Sequence, residues 1–187
     1  MNENDLRVIK TKQNIERALL QLLKGKSLDQ ITITELCEAS EISRRTFYLH
    51  YESVQKLFHV LIDRLLRELD DSIIQTKQTR SGLFDPHMTQ LLQHVYDYRA
   101  YYDIVFTGHT HFALYKLFYN HLKTIVKSSY MELHEENDSL DFEVAYQANA
   151  IMGMILEWKV QNYALSVEEM NKLATSIFQK HMAFREE

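Results

Sequence analysis

Ile31-Thr32-Ile33-Thr34-Glu35-Leu36-Cys37-Glu38-Ala39-Ser40-Glu41-Ile42-Ser43-Arg44-Arg45-Thr46-Phe47-Tyr48-Leu49-His50-Tyr51 carries two short helix signals with almost nothing between them. Thr32-x-x-Glu35 has the Ser/Thr-x-x-Glu form of a capping box, in which hydroxyl and carboxylate satisfy each other's free backbone N–H groups. It predicts a short helix to about Ala39. The alternation of Ile31 to Thr34 also suits a strand, but four residues is the least that signal needs, and Glu35 to Ala39 continues with helical spacing. Ser43 then stands in front of Arg44 to Leu49 and caps a second short helix. Ser53 caps a third helix, whose apolar residues Val54, Leu57, Phe58, Leu61, Ile62, Leu65 and Leu69 recur at three- and four-residue steps.

Upstream, Val8, Ile15, Leu19, Leu22 and Leu23 mark an opening helix that Gly25 stops. Two short helices around a tight turn, braced by a helix before and a long helix after, form a helix-turn-helix arrangement. The run from Ile31 to Tyr51 resembles the DNA-binding domain of the tetracycline-repressor (TetR) family of bacterial regulators, and the likeness extends over residues 7 to 65. Its most specific part is Ser43-x-x-Thr46-Phe47-Tyr48-x-His50-Tyr51, followed by Ser53 and Leu57. Glu41 stands where the family usually has glycine, and Arg45 where it often has a small residue. The first of these departures asks Glu41 to adopt a left-handed conformation, at a cost.

Ile42 and Phe47 can be buried against the neighbouring helices, which turns Arg44, Arg45 and Tyr48 outward. An arginine at the start of such a helix presents a planar fork to guanine O6 and N7 in the major groove. Hydroxyls suit phosphates, which position a protein without reading sequence. Ser43, Thr46, Tyr48 and His50 are therefore assigned to phosphate contact, with Lys56 as a charged clamp and Lys10 and Lys12 as further candidates. Cys37 shares the inward face with Leu36 and reads as core.

Beyond the long helix, Thr79 to Phe84 reads as a linker and Asp85-Pro86 as a helix start. Leu91, Leu92, Val95, Tyr98, Tyr102 and Val105 predict one helix. After Gly108, Phe112, Tyr115, Phe118, Tyr119, Leu122 and Val126 predict the next. A helix over Phe142–Tyr163 follows, and the box Ser166-x-x-Glu169 opens the last, with Met170, Leu173, Ile177 and Phe184 on one face. The expected architecture is all-α. Residues 1–60 form the helix-turn-helix domain, and the long helix joins it to a larger helical domain of residues 61–187.

The family resemblance implies that this second domain dimerises and often encloses a small-molecule effector; Gly153, Trp158 and Tyr163 to Glu169 carry its weaker likeness. Gly153, preceded by Ala145, Ala148 and Ala150, lets another helix come close. Ala148, Gly153, Met170, Leu173 and Ile177 are thus expected at a two-fold interface, the alternative being a close contact within one chain. More aromatics crowd Tyr96 to Tyr119 than one helical face can hold. Tyr98, Tyr102, Phe112, Tyr115, Met152 and Trp158 are the expected ligand-binding set, with ordinary core placement as the alternative. His87, His94, His109 and His111 raise a metal site as a further alternative; no metal or cofactor is expected.

Composition sets the outer bounds. The 187 residues are 45% hydrophobic and 25% charged, with four glycines, one proline and one cysteine. So few turn residues argue against sandwiches, barrels and phosphate-loop folds, and one cysteine excludes an internal disulfide. The first sixty residues hold nine Lys/Arg against eight Asp/Glu, and the remainder twelve against eighteen. The anion-facing end is therefore the first third. No stretch matches a membrane span and the start MNENDLRVIK is too polar for a signal peptide, so the expectation is cytoplasmic. An enzyme is not expected, since the Glu-x-x-His pairs of a helical di-metal centre do not occur. The expected function is a dimeric regulator on a near-palindromic DNA operator, a repressor released by an effector. The alternatives are an activator working through a protein partner and a helical interaction module without DNA binding.

Overall fold

The structure is a computed structural model that describes residues 6–74, 85–106, 112–131 and 137–183. Every regular element among them is helical: α1 Leu6–Leu23, α2 Ile33–Ala39, α3 Arg44–Tyr48, α4 Val54–Ile74, α5 Asp85–Asp97, α6 Arg99–Val105, α7 Phe112–Met131, α8 Leu140–Val160 and α9 Val167–Ala183. A short 3-10 turn, Leu28–Gln30, stands between α1 and α2. Ile31 and Thr32 are extended, but they lead into α2 and not into a strand.

Half of the expected box at α2 forms. Thr32 Oγ1 accepts from the Glu35 N–H at 3.2 Å, whereas the Glu35 carboxylate accepts from Lys26 Nζ at 2.6 Å. At α9 the box is complete, because Ser166 Oγ accepts from the Glu169 N–H and Glu169 Oε2 accepts from the Ser166 N–H. The helix expected from Leu91 through Val105 is interrupted at Tyr98. Met88, Leu91, Leu92 and Val95 are buried, and the same stripe carried one turn further would bury Arg99. The chain stops the helix instead. Arg99 stays exposed and donates to the Tyr96 carbonyl at 2.8 Å, a cation at a helix C-terminus.

Two compact units divide the chain, one of residues up to Leu65 with Ala100–Leu114, the other of Leu66–Arg99 with Tyr115 onward. The boundary falls inside the continuous helix α4. In the first unit α1 packs on α2 and α2 on α3, around Ile15, Leu19, Leu23, Leu36, Phe47 and Leu57, all wholly buried. Arg64 grips the buried Glu16 carboxylate with both guanidinium ends, at 3.0 and 2.8 Å, and also donates to Tyr101 Oη at 3.3 Å. A bidentate fork of this kind fixes direction as well as distance, so it sets α1, α4 and α6 against one another. The grouping of α6 with this unit is marked by no feature of the amino-acid sequence.

In the second unit α5 lies along α9. Helix α8 buries Val144, Ala148, Ile151, Met152, Ile155 and Trp158 on one face. Its opposite face is also mostly apolar, unlike the outer face of an ordinary surface helix.

The same unit holds a buried histidine. Burial, outweighing the nearby Glu68 and Asp97 carboxylates, pushes the His94 imidazole down to about 4. An unfolded chain binds that proton at about 6.5, so this contribution to stability is complete above about pH 6.5 and is lost as pH falls toward 4. The expected loss is on the order of 3 kcal/mol. Urea midpoints measured from pH 7 to 4.5 should fall for the parent and fall less steeply for His94→Leu; equal slopes would contradict the assignment.

Candidate nucleic-acid interface

The turn between α2 and α3 is closed by the backbone itself. Ser40 ends α2, and its hydroxyl donates back to the Leu36 carbonyl at 2.6 Å. Glu41 follows at φ 56°. Its N–H reaches the Glu38 carbonyl at 3.2 Å, and the Ile42 N–H reaches the Cys37 carbonyl at 3.0 Å. These are the two bonds of a Schellman motif, with a carboxylate residue in the left-handed position that usually goes to glycine. The motif reverses the chain within three residues.

Ser43 then caps α3, its Oγ accepting from the Thr46 N–H at 3.0 Å and sharing a hydrogen bond with Thr46 Oγ1 at 2.8 Å. Phe47 is wholly buried, meeting Tyr48 edge-on at 5.8 Å and Tyr51 at 5.9 Å between ring centres. Ile42 is only half-buried. With Phe47 inward, Ser43, Arg44 and Arg45 are exposed, Tyr48 is 51% exposed, and Thr46 and His50 are half-buried. Lys56 is exposed on the first turn of α4, where its N–H donates to the Ser53 cap.

Two residues join this surface that sequence reasoning ranked low or missed. Lys12 of α1 is close enough to His50 to help burial lower the imidazole below its ordinary value. Leu49 is 63% exposed beside Tyr48; its spacing from Arg45 was the available signal. Tyr51 is buried, and burial together with the Glu16 carboxylate pushes its phenol up to about 12, so it stays neutral. Cys37 is buried, and its thiol is raised for the same first reason.

The residues expected at a ligand site fall in both units. Tyr102 belongs to the first, wholly buried and stacked on Phe106 at 6.5 Å. Tyr98, Tyr115, Met152 and Trp158 belong to the second. There Tyr98 meets the His94 ring edge-on at 4.6 Å, Tyr115 is half-buried and Met152 is buried. Trp158 stacks on Tyr96 at 5.9 Å, meets Tyr163 at 5.3 Å and donates Nε1–H to the Leu165 carbonyl at 3.0 Å. Asn162 and Tyr163, both at φ 54°, end α8 in a second Schellman motif, and the Trp158–Tyr163 contact is its apolar partner pair. The side chains of Phe112, His87 and Phe184 lie outside the described residues, as do His109 and His111.

Of the residues expected at a two-fold interface, Ala148 and Met170 are buried within their own unit, while Gly153, Leu173 and Ile177 are exposed. A methyl group added at Gly153 would meet nothing within 4 Å. Among the described residues, none takes up the room beside this glycine.

Residues 84–180, more than half of the chain, match the TetR C-terminal family model described as a transcriptional regulator C-terminal region. The HTH-type transcriptional regulator YxbF of Bacillus subtilis is 34% identical over 70 residues, a match that spans 37% of this chain and 18% of that protein. The fold is similar to that of a TetR-like transcriptional regulator from Rhodococcus sp. RHA1, with TM-score 0.71 and 13% identity over 92% of this chain and 96% of the other. It is likewise similar to that of a TetR transcriptional regulator from Streptococcus agalactiae 2603V, with TM-score 0.66 and 22% identity over 92% and 96%.

The left-handed turn gives a direct test of the local geometry. Glu41→Gly should raise stability by about 1 kcal/mol, since glycine adopts this conformation without a clash between Cβ and carbonyl. Glu41→Ala keeps its Cβ and should not gain. Matching urea midpoints for the two variants would contradict the strain assignment.

Proposed function

The chain belongs to the TetR family of transcriptional regulators, and on that basis we propose that it acts as a homodimer binding a near-palindromic DNA operator through the major groove. One observation carries the reading: Phe47 is buried while Arg44, Arg45 and Tyr48 stand exposed on a helix whose start and preceding turn are both fixed by hydrogen bonds. Arg44 and Arg45 are the base readers, by bidentate donation to guanine. Tyr48, Thr46, Ser43 and His50 hold phosphates, with Lys56 and Lys12 supplying charge on either side of α3. Leu49 offers an apolar contact for a thymine methyl group.

Dimerisation follows from the second face of α8. Phe142, Tyr146, Leu156 and Val160 are 39 to 81% exposed, and Leu173 and Ile177 of α9 add to the exposed apolar surface. Covering it with a second copy pairs two reading helices by a two-fold axis, which suits successive major grooves about 34 to 36 Å apart. Repression by occupying a promoter needs nothing beyond DNA binding, so a repressor is the simplest reading. Release follows if an effector held in the aromatic-rich second unit favours another setting of α4, which begins near Lys56 and ends in that unit. Trp158, the single tryptophan, offers a fluorescence probe for such an effector.

The test uses a duplex selected by the protein from a randomised pool, alongside a random duplex. Arg44→Ala should weaken the selected duplex by about 1 to 3 kcal/mol and relax one base position. Lys56→Ala should weaken both duplexes alike and reduce the salt slope by about one. Equal losses on both duplexes for both variants would overturn the division into reader and clamp. No duplex binding by the parent at low salt would overturn DNA binding itself.

A further inference from the structure

Helix α3 is five residues long and has a single buried side chain, so its direction depends on what holds Phe47. Tyr51 follows directly after this helix. Its N–H donates to the Phe47 carbonyl at 2.9 Å, and its ring lies 5.9 Å from the Phe47 ring at a tilt of 45°. The Tyr51 phenol is itself buried, within electrostatic reach of Glu16, Arg64 and Tyr101. Those three meet at the Arg64 guanidinium, which donates to the Glu16 carboxylate at 3.0 and 2.8 Å and to Tyr101 Oη at 3.3 Å. Glu16 comes from α1, Arg64 from α4 and Tyr101 from α6. One polar cluster therefore ties three helices together beside the residue that packs on Phe47.

We propose, resting on the operator-binding reading above, that Arg64 and Glu16 are positioning residues for base reading, acting on α3 through Tyr51 and Phe47. Neither belongs to the reading face: Glu16 is buried on α1, and Arg64 lies midway along α4. The need for such a device comes from the chemistry of reading. A guanidinium that forks to guanine O6 and N7 must be held to within about 0.5 Å and 10 to 20°. Phosphate contacts carry no sequence information, and a lysine meets a phosphate as a point charge with little demand on direction. A shift of α1 against α4 therefore costs discrimination between sequences before it costs binding to duplexes in general. The planar fork on a buried carboxylate restrains both distance and direction, which a lysine ammonium in the same place does not.

Arg64→Lys keeps the charge and loses the fork. It should bind the selected duplex about tenfold more weakly and the random duplex within about twofold of the parent, with the salt slope unchanged. Selection repeated with this variant should relax the same base positions that Arg44→Ala and Arg45→Ala relax. The double variant Glu16→Leu/Arg64→Met replaces the pair by apolar groups, an exchange often neutral for stability, and should show the same loss. Tyr51→Leu should lose discrimination as well, and adding Arg64→Lys to it should cost little more, since groups acting along one route are not additive. Full discrimination by either Arg64 variant, folded by its urea midpoint, would overturn the positioning role. Equal losses on both duplexes would overturn it too, by marking a general loss of folded protein. Additive losses for Tyr51→Leu and Arg64→Lys would overturn the route through Tyr51. A parent that does not distinguish the two duplexes would instead overturn the operator reading beneath the proposal.

Discussion

The left-handed backbone at Glu41 is the constraint on which the reading surface depends. It lets the Ile42 N–H return to the Cys37 carbonyl and so turns the chain between α2 and α3 within three residues. Only from that starting direction does the Ser43 cap set a helix whose fourth residue, Phe47, drops into the core of the first unit. Arg44, Arg45 and Tyr48 are left outward as a geometric consequence, because a five-residue helix with one buried side has no other place for them. The Arg64–Glu16 fork then holds α4 to α1, and Tyr101 brings α6 to the same guanidinium. Local turn chemistry, one aromatic anchor and one ion pair together determine which side chains are offered to solvent.

The second unit follows a different logic. Helix α8 is apolar on both faces, and its own unit covers only one of them. Exposed apolar surface of this extent on a regular helix suits the two-fold interface proposed for it. Gly153 is the clearest sign, since none of the described residues occupies the space beside it. Inside the unit, Trp158 is held by Tyr96, Tyr163 and the Leu165 carbonyl at the place where α8 ends, so its role in the fold is to close the turn into α9.

Most helices were legible because their signals are local. Caps at Thr32, Ser43, Ser53 and Ser166 and the apolar stripe of α4 depend on neighbours a few residues away, and the α2–α3 turn with its inward Phe47 could be read in the same way. The break at Tyr98 was not legible, because apolar spacing continues through it. Partner choice among the aromatics was hidden too. Tyr98, Tyr102 and Trp158 look equivalent in sequence, yet their ring partners are His94, Phe106 and the Tyr96–Tyr163 pair. Such pairings depend on tertiary packing, which spacing along one helix does not encode. Ala148 and Met170 illustrate the same limit: a small residue near a glycine and an apolar residue beside Leu173 read as interface, and spacing alone does not reveal that both are buried within the unit.

The central claim is that exposed arginines of α3 read base edges in the major groove at two sites related by a two-fold axis. Methylation interference on the selected duplex tests it most directly, since dimethyl sulfate modifies guanine N7 in the major groove and adenine N3 in the minor groove. The account predicts that guanine N7 methylation blocks binding in two symmetric clusters about one helical turn apart. Interference confined to adenine N3, or a single unsymmetric cluster, would contradict it.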